Sequence, residues 1–408
     1  MSRDVVVTGV GAVTPVGTDA PETWRSLRAG RSGAGPITRY DPADYPGEVT
    51  FACEVGDDFD ERPRVDAEKM ARFTQFAVAA AGEAVADAGL DPGGDDWEPF
   101  DVGVSVASTV GGLPAFEEAV ESRRDRGAVP SRLPAVFQPS LAAGNVSIQF
   151  EARGPNRAPC TACASGTHAI GDAARDVRTG RADVVIAGGT DAVVTPTVMA
   201  GFESLGVLST RTDDPAAAAR PYDRDRDGVV IGEGAGVLVL EAREHATQRG
   251  ATPLAEISGV GMSGDAAGVF RPHPEAAGLT AAMEGALADA GVDPAAVDHV
   301  NTHGTGTRLG DEHECQALNQ VFDAVPPVTS TKSVLGHPQG GSGAVEAVAT
   351  TLAIRDGTIH PTLNLNAQDP ACDVPVVTEP RDCEVDAAMS IAAGFGGTNG
   401  SLLFTAPN

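Results

Sequence analysis

The chain has 408 residues, 42% apolar and 21% charged, with 49 Gly and 29 Pro; this composition excludes disorder, collagen and coiled coil, and leaves one large domain or two fused halves. Lys and Arg total 29 against 57 Asp and Glu, a formal charge of -28, which excludes a sequence-independent grip on nucleic acid or on an anionic membrane. No apolar run approaches the roughly 20 residues that span a bilayer, and the start MSRDVVVTGVGAV lacks the pattern of a signal peptide, so a cytoplasmic protein is expected. The two lysines are Lys69 and Lys332. An acidic surface almost without lysine predicts a protein suited to molar salt, where a Debye length of ~3 Å screens its self-repulsion.

In chain order, β-rich runs alternate with Ala-rich helical stretches: VVVTGV at the start, DVGVSVAS from Asp101 and ADVVIAGG from Ala182. That alternation predicts an α/β fold. Glu83–Pro92 reads EAVADAGLDP and Gly285–Pro294 reads GALADAGVDP, each a helix ending in Gly and Pro. TGVGAVTP from Thr8 and SGVGMSGD from Ser258 form a second parallel in the same order. Together they predict a duplicated βαβ-type architecture with halves 1–250 and 251–408, joined near residues 245–255.

The six cysteines (Cys53, Cys160, Cys163, Cys315, Cys372, Cys383) form no disulfide framework and are expected as thiols. Within PCTACASGTHAIGDAARDV from Pro159, Cys163 falls where a short extended segment turns into an Ala-rich helix. Unpaired N–H groups and the dipole at a helix start favour thiolate, which makes Cys163 a candidate nucleophile with a lowered pKa. His303 in NTHGTGTRLGD and His337 in TKSVLGHPQGG stand in Gly-rich loops that let a substrate approach closely. With Lys332 they supply the means to form a thioester and to stabilise an enolate.

Several neighbouring patterns fail on their spacing. Cys160 and Cys163 mimic a deaminase Cys-x-x-Cys, but the first histidine in the chain is His168, so the upstream His-x-Glu is missing; nothing nearby suggests a thioredoxin unit either. Gly9-x-Gly11 lacks the third glycine of a dinucleotide loop. Asp223, Asp225 and Asp227 mimic a calcium loop, but its twelfth position is Gly234, and a turn tied by its own arginines is expected instead. His313, Glu314 and Cys315 are successive on a helix and point different ways, so no metal site is expected.

TACASGTHAIGDA, RPYDRDRDGVVIGEGAG, NTHGTGTRLGD, TKSVLGH and GFGGTNG, in this order between Val5 and Phe404, resemble the β-ketoacyl-acyl carrier protein synthases of the type II elongating class, including the ketosynthase subunit of aromatic polyketide systems. The resemblance implies the thiolase-like fold, two similar α/β halves in five α-β-α-β-α layers, as a homodimer with a heterodimer as the alternative. It implies a decarboxylative Claisen condensation through an acyl-Cys163 intermediate, with His303 and His337 holding the malonyl thioester oxygen. Lys332 then orders the site with Glu346, and Asp311 lies behind it. Phe395 is the gate whose backbone N–H joins that of Cys163 in the oxyanion hole; Thr305 and Thr307 hold the pantetheine arm; Val110 and Phe202 line the acyl pocket.

The same resemblance implies no metal and no cofactor, phosphopantetheine being carried by the substrate, and an acyl carrier protein or coenzyme A thioester as partner. Relatives read NSFGFGG before the gate, whereas this chain has Ile391 and Ala393 in place of the Asn and the first Phe. Those differences touch the chain-length gate and a monovalent-cation position near Asn301, Glu346 and Ser390. Ala393 predicts either a wider acyl pocket or a larger neighbour filling the space. Lys69 and Arg72 in RVDAEKMAR stand where relatives present a denser basic patch to the carrier. A thiolase would bring a second cysteine where this chain has Gly394-Phe395-Gly396-Gly397, and a non-catalytic chain-length partner would lack Cys163.

Overall fold

A computed structural model describes residues 3–44, 47–61 and 69–407. Its main sheet has ten strands, numbered here in chain order: β1 Val5–Val13, β2 Val102–Ala107, β3 Asn156–Arg157, β4 Val184–Asp191, β5 Gly234–Ala242, β6 Ala255–Gly264, β7 His299–Asn301, β8 Val328–Thr329, β9 Ala387–Gly394 and β10 Thr398–Thr405. Across the sheet they run β8-β7-β9-β10-β6-β1-β5-β4-β2-β3. The order is a palindrome about the β6–β1 seam, where Val6 faces Glu256 and Val7 faces Ala255. The pairings repeat as well: β2 runs parallel to β3 and β4 as β7 does to β8 and β9, and the remaining neighbours are antiparallel.

Helices Arg72–Asp87 and Leu141–Phe150 cover the outer face of the first half-sheet, and Ala277–Ala290 and Arg308–Val321 cover that of the second. Between the half-sheets lie Ser165–Arg178 and Ser342–Asp356, giving the five layers of the thiolase-like fold. Ser342–Asp356 is buried from Ser342 to Ile354, as expected of a helix of small and apolar residues, with Glu346 the one charged side chain in that stretch. Among the described residues no helix is long and apolar enough to cross a membrane, and all six cysteines are free thiols.

The two sequence parallels have one physical cause. A Cβ on Gly9 would sit 2.2 Å from Ala84 O and one on Gly11 2.0 Å from Ala80 O; in the other half the same clashes are Gly259 with Ala286 O at 2.0 Å and Gly261 with Ala282 O at 1.8 Å. Strand and Ala-rich helix touch backbone to backbone, so neither partner tolerates a larger residue. Beside each contact the strand bulges, and the freed amide is taken by the helix: Val10 N donates to Asp87 Oδ2 at 3.0 Å and Val260 N to Asp289 Oδ2 at 2.9 Å. The repeated Ala-Asp-Ala-Gly is therefore more than a common helix ending.

Candidate active site

Cys163 lies between β3 and the central helix Ser165–Arg178. The turn before it is tight: Ala162 has φ +51°, Ala164 N donates to Thr161 O, and Ser165 N to Ala162 O. The thiol is buried, and its pKa rises to about 11 because burial outweighs the opposing pull of Lys332 and of the Phe395 and Cys163 backbone N–H groups. The lowered pKa expected from the helix start is thus corrected: the dipole end is present, but desolvation of a charged sulfur is the larger effect.

His303 follows β7 at the mouth of a loop pinned from below. His303 N and Gly304 N donate to the two oxygens of buried Glu314 at 2.6 and 2.9 Å, and Tyr222 OH donates to the same carboxylate. Asp311 takes Gly306 N and Tyr222 N and faces Arg226 at 3.4 Å, which places it behind the site as expected. Burial raises the pKa of Asp311 to about 6, and burial together with Asp311 raises that of Glu314 to about 7. The DRDRDG stretch is a turn bound by its own arginines, with Arg220 on Asp223 and Arg226 on the Asp223 carbonyl.

His337 is held through its backbone by the strand-like Val230–Gly232: His337 N donates to Val230 O at 2.8 Å and Gly232 N to His337 O at 3.0 Å. Lys332 Nζ lies 3.3 Å from His303 Nδ1 and also bonds Glu346, whose Oε1 takes Ser342 Oγ at 3.0 Å. An ammonium only donates, so His303 Nδ1 accepts and its proton sits on Nε2. Burial first, and then the Lys332 charge, hold both imidazoles well below 6.5. Both are neutral N–H donors at neutral pH.

Sγ of Cys163 and one nitrogen from each of His303 and His337 all lie within 4.8 Å of one another. Gly166 and Gly343, near the starts of the two central helices, make this possible. A Cβ on Gly166 would meet Ala344 N at 2.8 Å, and one on Gly343 would meet Thr167 Oγ1 at 2.1 Å. The group opens into a cavity of about 220 Å³ lined also by Thr305, Thr307, Phe202, Ala393 and Phe395. Thr305 and Thr307 face each other at 3.0 Å. The Phe395 ring, 38% exposed, stacks on Phe202 at 6.2 Å and meets Phe270 edge-on at 5.1 Å.

Val110 departs from its expected place: it packs with Phe202 in the adjoining apolar cluster and is not on the wall of the cavity that holds Cys163. Arg72 points inward, with Val55 O at 3.0 Å, Glu233 at 3.5 Å and the Phe76 ring beneath its guanidinium at 4.9 Å. Lys69 is exposed; Arg64–Glu68 of the same stretch lie outside the described residues. Behind Lys332, Glu346 Oε2 and Ser390 Oγ are buried without hydrogen-bond partners among the described residues, and Asn301 Oδ1 accepts from Thr331.

Three residues escaped the sequence reading. Gln339 reaches Cys163 Sγ at 3.7 Å. Asp191 at the end of β4 ties Ser108, Thr109 and Gly340 together, and only its place at the end of the GGTD strand hinted at it. Glu314 was visible, but in the wrong company: His313 turns away to Leu309 O, while the carboxylate next to it anchors the His303 loop.

Residues 2–246 match the β-ketoacyl synthase N-terminal domain and residues 254–366 the C-terminal domain. The chain belongs to the β-ketoacyl synthase family. It is 43% identical over 414 aligned positions to 3-oxoacyl-[acyl-carrier-protein] synthase 2 of Coxiella burnetii, covering 99% of this chain and 98% of that one. Among solved structures, the ishigamide ketosynthase/chain length factor superposes with a TM-score of 0.92 at 35% identity, with both chains fully covered. A type II polyketide ketosynthase bound to a hexaketide, solved with its acyl-carrier protein, gives 0.90 at 30% identity, again with both chains fully covered. The synthase is accordingly an acyltransferase.

Proposed function

We propose that this synthase joins an acyl thioester to a malonyl thioester with loss of carbon dioxide, yielding a 3-oxoacyl product two carbons longer. The observation that carries the reading is one cavity into which a thiol and two neutral imidazoles converge within 4.8 Å. Cys163 takes the acyl group while the backbone N–H groups of Cys163 and Phe395 bind the oxyanion. His303 and His337 then donate to the thioester oxygen of the malonyl unit, where charge develops as the carboxylate leaves. Neutral donors serve that step without trapping the enolate as an ion pair. Lys332, held by Glu346, fixes the tautomer of His303.

Thr305 and Thr307 hold the pantetheine arm, and the substrate itself brings that arm, so the chemistry calls on no further cofactor. The donor is an acyl carrier protein or coenzyme A thioester, in fatty acid or polyketide synthesis. Halves 1–250 and 251–408 are the units of duplication, a division supported by the mirrored strand order. The working form is a homodimer in the cytoplasm, and six free thiols suit a reducing compartment. The complete Cys-His-His set argues against a non-catalytic chain-length partner, and Phe395 in place of a second cysteine argues against a thiolase.

Intact-mass measurement with a panel of acyl thioesters tests this. The wild type is expected to gain one acyl group on Cys163 and lose it as a 3-oxoacyl thioester once malonyl thioester is added. Cys163→Ala is expected to gain none and to lose condensation by about 10⁴-fold or more, while still decarboxylating malonyl thioester. Condensation by Cys163→Ala at a near wild-type rate refutes the reading.

A further inference from the structure

Ala393 borders two cavities, that of Cys163 and another beside it. The second cavity, of about 60 Å³, is walled by Ala393, Leu279, Ala276, Pro272, His303 and Thr305, together with Asp265 and Asn399 and, under the His303 loop, Asp311, His313 and Glu314. It shares Ala393, His303, Thr305, Pro272, Gly310, Asp265 and Asn399 with the cavity of Cys163, yet neither Cys163, Phe202 nor Phe395 borders it. In the reading above, the acyl chain leaves Cys163 along Phe202. The extender enters along Thr305 and Thr307 and rests its thioester oxygen on His303. The spare volume therefore adjoins the extender, next to the carbon that lies beside that oxygen.

From this we infer that the site accepts malonyl thioesters carrying a small alkyl group on C2, a methyl or an ethyl, with that group seated against Ala393 and Leu279. The walls suit it. Ala393, Leu279, Ala276 and Pro272 are apolar, and the polar groups are engaged: Asn399 Nδ2 donates to Asp265 Oδ1 at 2.8 Å, Glu314 accepts from His303 N and Gly304 N, Asp311 accepts from Gly306 N and Tyr222 N, and His313 bonds Leu309 O. A volume of about 60 Å³ is roughly twice the share of one liquid water, enough for one or two carbons and too little for a long branch. Ala393 is half-buried, the residue before Gly394 at the end of β9, so a phenylalanine ring there would narrow the space where the two cavities meet.

The chemistry needs no new participant. The C2–carboxylate bond breaks, carbon dioxide leaves, and the electron pair stays on C2. That carbon bonds to the acyl carbon, the C–Sγ bond breaks with its pair returning to Cys163, and the product is a 2-alkyl-3-oxoacyl thioester. This inference rests on the condensation proposed above, so the same assay must run with malonyl thioester.

Acyl-loaded wild type is incubated in parallel with malonyl, methylmalonyl and ethylmalonyl thioesters, and the products are weighed. The wild type is expected to condense methylmalonyl within about tenfold of malonyl. Ala393→Phe is expected to lower the methylmalonyl-to-malonyl ratio at least tenfold. Leu279→Phe fills the cavity from the helix opposite, away from the gate, and is expected to lower the same ratio; it carries the test should Ala393→Phe not fold. Malonyl condensation without any methylmalonyl product from the wild type, or an unchanged ratio in the folded variants, overturns the inference. Absence of malonyl condensation strikes the proposed function instead.

Discussion

The connection from β3 to Ser165–Arg178 and the connection from β8 to Ser342–Asp356 occupy equivalent places in the two halves, yet they carry opposite chemistry. The first presents Cys163 on a tight turn ahead of its helix. The second is longer and presents Lys332, His337 and Gln339. Duplication delivers two buried helix starts to one point, and divergence gives one the electrophile-accepting thiol and the other the proton-donating groups. What stayed alike is the scaffold: Gly-Val-Gly strands pressed on alanine helices, with Asp87 and Asp289 taking the same freed amide.

The sharpest way to separate the two contributions is to remove the donors and keep the thiol. His303→Ala or His337→Ala is expected to slow malonyl decarboxylation by about 10² to 10³, the scale for one lost oxyanion donor. Self-acylation of Cys163 is expected to suffer less, since in the proposed reading backbone N–H groups serve that step. Equal losses in both half-reactions, measured by single-turnover mass shift and by carbon dioxide release, contradict the division of labour.

A smaller effect is expected from prying the two starts apart. Gly343→Ala puts a methyl group against Thr167 and Gly166→Ala one against Ala344, so the helices must shift. Overpacking of this kind costs about 1 to 3 kcal/mol, and a displacement near 1 Å between reacting groups is worth about 10² in rate. Activity falling further than stability, with both read on the same preparations, is the expected outcome. A variant with unchanged condensation shows that the close crossing does not set the geometry.

The thiol and imidazole protonation states sharpen the contrast further. With Cys163 near 11, its alkylation by iodoacetamide is expected to rise about tenfold per pH unit from pH 7 to 10. A plateau by pH 8 means that the dipole outweighs burial after all. Removing the Lys332 charge, as in Lys332→Met, moves the inflection upward. On the acid side the histidines are depressed well below 6.5, so they stay neutral and decarboxylation persists below pH 6.

The difference between the two connections also explains what was legible. Cys163, His303, His337, Lys332 and the gate sit in short Gly-rich motifs, because chemistry at a turn needs local small residues as well as the reacting group. The strand runs were legible for the same local reason. Positions set by distant partners were not. Arg72 resembles a surface cation until Glu233 and the Phe76 ring claim it, and Val110 packs on the apolar cluster beside the cavity. Glu314 looks like a stray ligand until the His303 loop folds over it. The meaning of Ala393 depends on Phe270 and Leu279, far away in sequence yet lining the cavities that Ala393 borders.

The smallest expected effect concerns the surface that both halves share. With 57 Asp and Glu against 29 Lys and Arg, a charge of -28, many carboxylates stand near one another without a cation of their own. At about 0.1 M salt the Debye length is near 10 Å and neighbouring carboxylates repel; at about 1 M it falls to ~3 Å and they no longer sense each other. The folded chain gathers these charges more tightly than the unfolded one, so dilution of salt destabilises the fold. The melting temperature is expected to drop steadily as potassium chloride falls from molar to about 0.1 M, by roughly 2 to 4 °C for each kcal/mol lost, on the scale of domains of 150–250 residues. The active-site set is buried, so the rate per folded molecule should change less than the melting temperature. An unchanged melting temperature across that range removes salt adaptation as the reason for the composition.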